Sequence, residues 1–279
     1  MKAKTRSSRV TRVVKALAKA LAIVFGLLAI LVGLYFWSQS EWVIDARRSG
    51  IQAEIANLKA GHPWAGTYYR GDGLGCNELL SAAPGAGFQY TLHGCLGLYE
   101  HDHGSVEQVE SRLRLRSRFL SLPSWAFGEY TIVDWGSRRY LVEPKQLIDF
   151  VNSVNQHTPM EWYPGLLDDR RYYLRVGDEE KELKGKPHLP PAFATLLLPT
   201  RIDGHVTAVS GTRVDLDLGL DRGVFEGMEL LLHGLGGNGY GAAVVKEIAA
   251  HSSVAEVNYL DSFSPPVTVG WSAESRTGD

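Results

Sequence analysis

From Ala20 to Trp37 the chain reads "ALAIVFGLLAILVGLYFW", without a charge or a strongly polar side chain. Ala16-Leu17-Ala18 and the uncharged Ser38-Gln39-Ser40 extend the run. About 20 apolar residues suffice for a helix to cross a hydrocarbon core roughly 30 Å thick, so this segment predicts a transmembrane helix over 20–38. Tyr35, Phe36 and Trp37 cluster at its far end, as aromatic rings do at a membrane–water interface. The period then changes. Ile51, Ile55 and Leu58 recur at i, i+4, i+7, the spacing of one helix face. Gly61 and Pro63 end that pattern. A stalk helix is predicted over 39–61, with Gly50 as a place to bend and its apolar stripe packed within the chain.

Strand periodicity takes over at Trp64. "WAGTYYR", "ELLSA", "FQYTLHG", "LGLYE", "SVEQVE", "RLRLRS", "YTIVDWG" and "RRYLVE" are short, β-rich runs punctuated by Gly, Pro and Asp. "RLRLRS" alternates strictly and sets Leu113 and Leu115 against Arg112, Arg114 and Arg116. Such spacing predicts a sandwich or small barrel. "PKQLIDFVNSVNQ" reads as a helix that covers an open end of this sheet, with Pro144 suited to its first position. "RYYLRVGDEEKELKG" predicts a hairpin around Gly177-Asp178, and Ala192–Leu197 a short helical turn. "HTPMEWYPG" and "KPHLPPAF" read as loops. The β-rich domain spans 62–198.

From residue 199 to 279 the pattern is all-β. Val214, Leu216 and Leu218 share one strand face, with Asp215 and Asp217 on the other, while Gly219, Gly223 and Gly227 mark turns. This predicts a small C-terminal barrel. The fold class is therefore mainly β with α elements: one transmembrane helix, a stalk, a β-rich domain with one covering helix, and a small barrel.

Charge fixes the expected orientation. The head, residues 1–19, carries Lys2, Lys4, Arg6, Arg9, Arg12, Lys15 and Lys19, and the first acidic residue is Glu41. Basic flanks stay in the cytoplasm. The longer-than-usual apolar core and the poor cleavage site at Ser38-Gln39-Ser40 favour an uncleaved anchor over a signal peptide. Removing those seven residues from the 29 basic ones leaves 22 against 31 acidic, a net charge of −9 for the exported part. Nucleic acid is excluded as a partner, since phosphates demand basic surfaces.

Several motifs carry candidate chemistry. Gly71, Gly73 and Gly75 in "RGDGLGC" lack the helix that a phosphate cradle needs, and read as a turn. His101, Asp102 and His103 in "YEHDHG" are metal candidates, set against a plain polar turn between "LGLY" and "SVEQVE". "DLDLGLDRG" misses calcium-loop spacing. Ser210, with His205 nearby, lacks a nucleophile elbow. No catalytic residue and no cofactor is assigned. Trp64, Tyr68, Tyr69, Trp125, Trp135, Trp162, Tyr163, Tyr172 and Tyr173 form a core, or line a groove for a peptide, glycan or lipid.

The only two cysteines, Cys76 and Cys95, flank the turn sequence Pro84-Gly85-Ala86-Gly87. They could be metal ligands, redox groups, buried thiols or a staple. C-x-x-C is missing, and an exported location permits disulfides. A hairpin centred on Gly85/Ala86 sets the two opposite each other, about 4.5 Å apart at Cα in a non-hydrogen-bonded pair. A structural Cys76–Cys95 bridge is the expectation.

The order Gly204-His205-Val206, a strand, the turn Gly219-x-x-x-Gly223-x-x-x-Gly227-Met228, then "AVVKEIAAHSSVAEV" resembles small β-barrel modules of bacterial envelope proteins. Examples are the periplasmic rod-shape-determining scaffolds and the C-terminal module of a flagellar assembly protein. The likeness covers 204–271 and implies an envelope scaffold or adaptor. "WAGTYYRGD" resembles the opening strand of lipocalin-like envelope domains. The functional expectation is a single-pass bacterial inner-membrane protein, its N-terminus cytoplasmic and its bulk periplasmic. It would contact membrane lipid through the helix and an envelope protein through the ectodomain, without catalysis. A lipid- or glycan-binding protein using 62–198 is the alternative, and an envelope hydrolase the third.

Overall fold

The computed structural model describes residues 4–38, 40–58, 62–71, 75–118, 128–156 and 172–275. Helix α1, Lys4–Ser38, contains the apolar window Leu17–Leu34, whose mean hydropathy is 2.5 and none of which is buried. Among the described residues it is the one helix long and apolar enough to cross a membrane. Helix α2, Glu41–Asn57, follows at once and runs unbroken through Gly50.

Eight antiparallel strands then close on themselves in sequence order: β1 (Gly66–Gly71), β2 (Asn77–Ala83), β3 (Gly87–Gly94), β4 (Gly97–Val109), β5 (Arg112–Ser117), β6 (Glu129–Trp135), β7 (Arg138–Val142) and β8 (Tyr173–Arg175). The expected sandwich or barrel is a barrel. Tyr173–Arg175, expected as half of a hairpin around Gly177-Asp178, instead pairs with β1 and β7 and closes the circle. An eight-stranded barrel has an interior that side chains can just fill. Alternation along the strands sends Tyr68, Leu80, Phe88, Tyr90, Leu113, Tyr130, Leu141 and Tyr173 inward into one buried cluster. Leu113 and Leu115 are buried and Arg112, Arg114 and Arg116 exposed, as the pattern of β5 predicts.

The opposite parity of β6 and β7 faces outward and is also buried. Val133, Trp135, Tyr140 and Val142 join a second core, against helix α3, Leu147–Asn155. Phe150 of α3 meets Trp135, Tyr140 and Tyr172 edge-on, with ring centroids 6.1, 5.5 and 5.0 Å away. This helix covers the outer wall formed by β6 and β7, not an open end, because the barrel closes on itself and leaves no sheet edge to cover.

The chain then passes through the single turn α4, Pro191–Ala194, into a closed barrel of six strands: β9 (Asp203–Ser210), β10 (Arg213–Leu216), β11 (Glu229–His233), β12 (Tyr240–Ile248), β13 (Ser253–Leu260) and β14 (Ser272–Glu274). Their order around the barrel is β10-β13-β12-β11-β14-β9. Val206, Val214, Leu216, Leu218, Leu230 and Leu232 belong to the same core cluster as α3. Asn152 of α3 donates to the Gly227 carbonyl at 2.8 Å and accepts from the Glu229 amide at 3.1 Å, so α3 ties the two barrels together.

Close approach of strands β3 to β5 depends on two glycines. Gly87 closes the β2–β3 turn at φ +80°, and an added Cβ there would meet the Gly104 carbonyl oxygen at 2.0 Å. A Cβ at Gly104 would fall 1.9 Å from the Arg116 carbonyl oxygen. Both obstacles are backbone. Gly104→Ala should therefore destabilise the protein by about 1–3 kcal/mol, the usual range for overpacking. Thermal unfolding of the detergent-solubilised chain measures this, and an unchanged midpoint would contradict the packing.

Candidate functional site

The segment containing His101, Asp102 and His103 is not a turn. It lies within β4, whose thirteen residues join the two short runs that the sequence seemed to separate at this point. Strand alternation splits the three. His101 pairs with Thr91 and His103 with Gln89 on the outer face, while Asp102 pairs with Tyr90 on the inner one. The Asp102 carboxylate accepts from the Ser117 hydroxyl at 2.8 Å and the His103 amide at 2.7 Å. Burial pushes its pKa up. Among the described residues no group of three or more His, Cys, Asp or Glu could hold a metal ion.

Helix α2 lies against this outer face. Ile44 and Ile51 are buried, and Ile55 and Leu58 pack on the barrel core. Arg47 donates to Gln89 Oε1 at 3.0 Å and Arg48 to Thr91 Oγ1 at 3.1 Å. Glu54 accepts from the Gly85 and Ala86 amides of the β2–β3 turn at 2.8 and 2.6 Å. The predicted stripe therefore does pack within the chain.

Where α2 crosses the end of the wall, a cleft of about 440 Å³ opens. Arg47, the turn Pro84–Phe88, His103–Val106 and Arg116–Arg118 line it. Three arginines supply its charged side chains, with His103 beside them, and no Asp or Glu is among its described lining residues. Arg116 is engaged by Glu107 at 3.0 Å. Burial, and then the neighbouring Arg118 guanidinium, push the Arg47 guanidinium below its ordinary pKa. Burial first, then Arg47, His101 and Arg118, push His103 down to about 4.

The barrel interior holds a second polar group. Arg70 bonds Glu78 at 2.8 Å and Glu143 at 3.1 Å, and its guanidinium sits 4.5 Å over the Tyr173 ring. The Tyr90 and Tyr173 hydroxyls donate to the same Glu78 oxygen. Tyr130 and Tyr173 stack edge-on at 5.6 Å. Burial raises the pKa of Tyr90, Tyr130 and Tyr173, so all three remain protonated donors. This arrangement binds its own members within the barrel. Of the aromatic residues considered for a groove, Trp64, Tyr68, Trp135, Tyr172 and Tyr173 are buried. Trp125, Trp162 and Tyr163 lie outside the described residues, as does Gly73 of the glycine-rich turn.

No disulfide joins Cys76 to Cys95. The reason is register. Ala83 pairs with Gly87 across a three-residue turn, so the ladder puts Asn77 opposite His93, one residue off the symmetric alignment. A one-residue slip reverses faces. Gly94 then pairs with Gly97, which leaves Cys95 in the β3–β4 turn. Both cysteines are exposed. Ser210 ends β9, while His205, five positions earlier, is 3.5 Å from Asp217.

No protein family, no curated protein and no solved structure matches the chain.

Two outcomes are expected. Arg70→Met leaves Glu78 and Glu143 facing each other without their shared cation, and should cost about 2–4 kcal/mol, near the range for breaking a buried pair. Adding Glu78→Gln should recover part of that loss in denaturant unfolding. A double variant less stable than Arg70→Met alone would contradict the network. For His103, the unfolded state takes up its proton below about pH 6.5, whereas the folded state does so only near 4. Stability contributed at neutral pH is therefore lost as pH falls from 6.5 to 4. His103→Gln should flatten the melting temperature across that window, and an unchanged slope would refute the assignment.

Proposed function

We propose that this is a single-pass bacterial inner-membrane protein with a cytoplasmic N-terminus, whose periplasmic barrels act as a non-catalytic scaffold or adaptor. The observation that carries this reading is the continuity of docked parts from the apolar helix outward. α1 leads directly into α2, α2 is fixed to the wall of the first barrel, and α3 bonds that barrel to the second. Such a chain presents two surfaces at a set position instead of on a loose tether. The large apolar and aromatic side chains packed inside the eight-stranded barrel support an adaptor over a carrier of enclosed lipid or glycan. Leu96 at the β3–β4 turn is 91% exposed and Phe263 of the second barrel 93%, so both positions are open to a crosslinking probe. The likeness of 204–271 to envelope scaffold barrels agrees with the same role.

The two exposed cysteines give a direct test of placement. After mild reduction, a membrane-impermeant maleimide should label both in intact spheroplasts. Labelling only after lysis would overturn the periplasmic assignment. For the adaptor role, a photo-crosslinking residue at position 263 should capture a discrete envelope protein in living cells; no adduct at either 263 or 96 would count against it.

A further inference from the structure

Among its described lining residues the basic cleft holds three arginines and no acid, and of the three Arg116 is paired with Glu107. Arg47 spends one nitrogen on the neutral amide of Gln89. Arg118 lies close enough to disfavour the charge on Arg47. Glu54, the nearest acid to the turn, is committed to the Gly85 and Ala86 amides. Two guanidiniums lining one concave space, with no carboxylate among its described lining residues, are arranged for an external anion. Gly85, Gly87 and Gly104 are among the residues that line it.

The cleft is also close to the apolar helix. Arg47 lies six residues into α2, a rise of about 9 Å at 1.5 Å per residue, and α2 starts three residues after α1 ends. Headgroup layers extend several ångströms beyond the hydrocarbon on each side. Trp42, 68% exposed at the start of α2, is the type of side chain that settles at that interface. We infer that the Arg47–Arg118 cleft binds the phosphate of an anionic phospholipid headgroup and so seats the first barrel on the membrane surface. This rests on the membrane-anchored reading above.

Native mass spectrometry of the detergent-solubilised full-length chain tests it, with phosphatidylglycerol and phosphatidylcholine offered in equal amounts. The wild type should retain phosphatidylglycerol preferentially. Arg47→Gln and Arg118→Gln should each weaken retention about tenfold, as loss of a charge-assisted hydrogen bond implies. Arg118 is exposed, so its variant should fold even if Arg47→Gln does not. Arg112→Gln, exposed and outside the cleft, should retain lipid like the wild type. Equal retention of the two lipids, or retention unaffected by either cleft variant, overturns the inference. So does binding of inorganic phosphate or glycerol 3-phosphate without binding of the lipid, which would assign the cleft to a soluble anion. Insertion into pure phosphatidylcholine nanodiscs is scored separately. Failure there counts against the membrane anchor, while lipid retention in detergent still decides the cleft.

Discussion

Seven residues apart on α2, Ile44 and Ile51 lose nearly all contact with solvent against the first barrel. Burying an isoleucine is worth about 1.5–3 kcal/mol, so the pair contributes on the order of 3–6 kcal/mol before ordering costs. Glu54 adds direction to that attraction. Its carboxylate caps two amides of the β2–β3 turn, groups that a tight turn otherwise leaves to water. Arg47 and Arg48 complete the seat on Gln89 and Thr91. The basic cleft exists only because α2 is held there, and the apolar helix is positioned through the same contact.

The first barrel uses both faces of its strands, and that divides its chemistry. Inward, tyrosines and the Arg70–Glu78–Glu143 group fill the interior and satisfy one another. Outward, β6 and β7 are apolar and join α3 to the second barrel, while β3 and β4 carry Gln89, Thr91, His101 and His103 toward α2. Arg70, Glu78 and Glu143 are half-buried, and Arg70 pairs with both carboxylates.

Much of this was legible in the chain. The apolar run, the i, i+4, i+7 stripe and the "RLRLRS" alternation each state a period, and each gave its element. Helix α3 was readable from Pro144 and the apolar positions 147, 150 and 151. Its location was not, because the barrel's closure depends on Tyr173–Arg175, a three-residue strand too short to carry a period. β4 was read as two strands because His101, Asp102 and His103 look polar, although the flanking alternation continues through them. The disulfide failed for a smaller reason. Counting from the centre of Pro84–Gly87 assumes an even turn, whereas Gly87 at φ +80° makes the turn three residues long and shifts the ladder by one. The cleft left little trace in sequence: Arg116 and Arg118 lie two residues apart at the end of β5, and only the docked helix brings Arg47 to them.

Hydrogen exchange of the α2 amides in the full-length chain, reconstituted in nanodiscs, tests the central contact most directly. Docking predicts protection across Ile44–Ile55 comparable to that of β2 and β3, and loss of that protection together with exposure of the β2–β3 turn when Glu54 is replaced by Ala. A free stalk would exchange α2 far faster than the barrel strands and respond to the Glu54 change not at all, which would contradict the account.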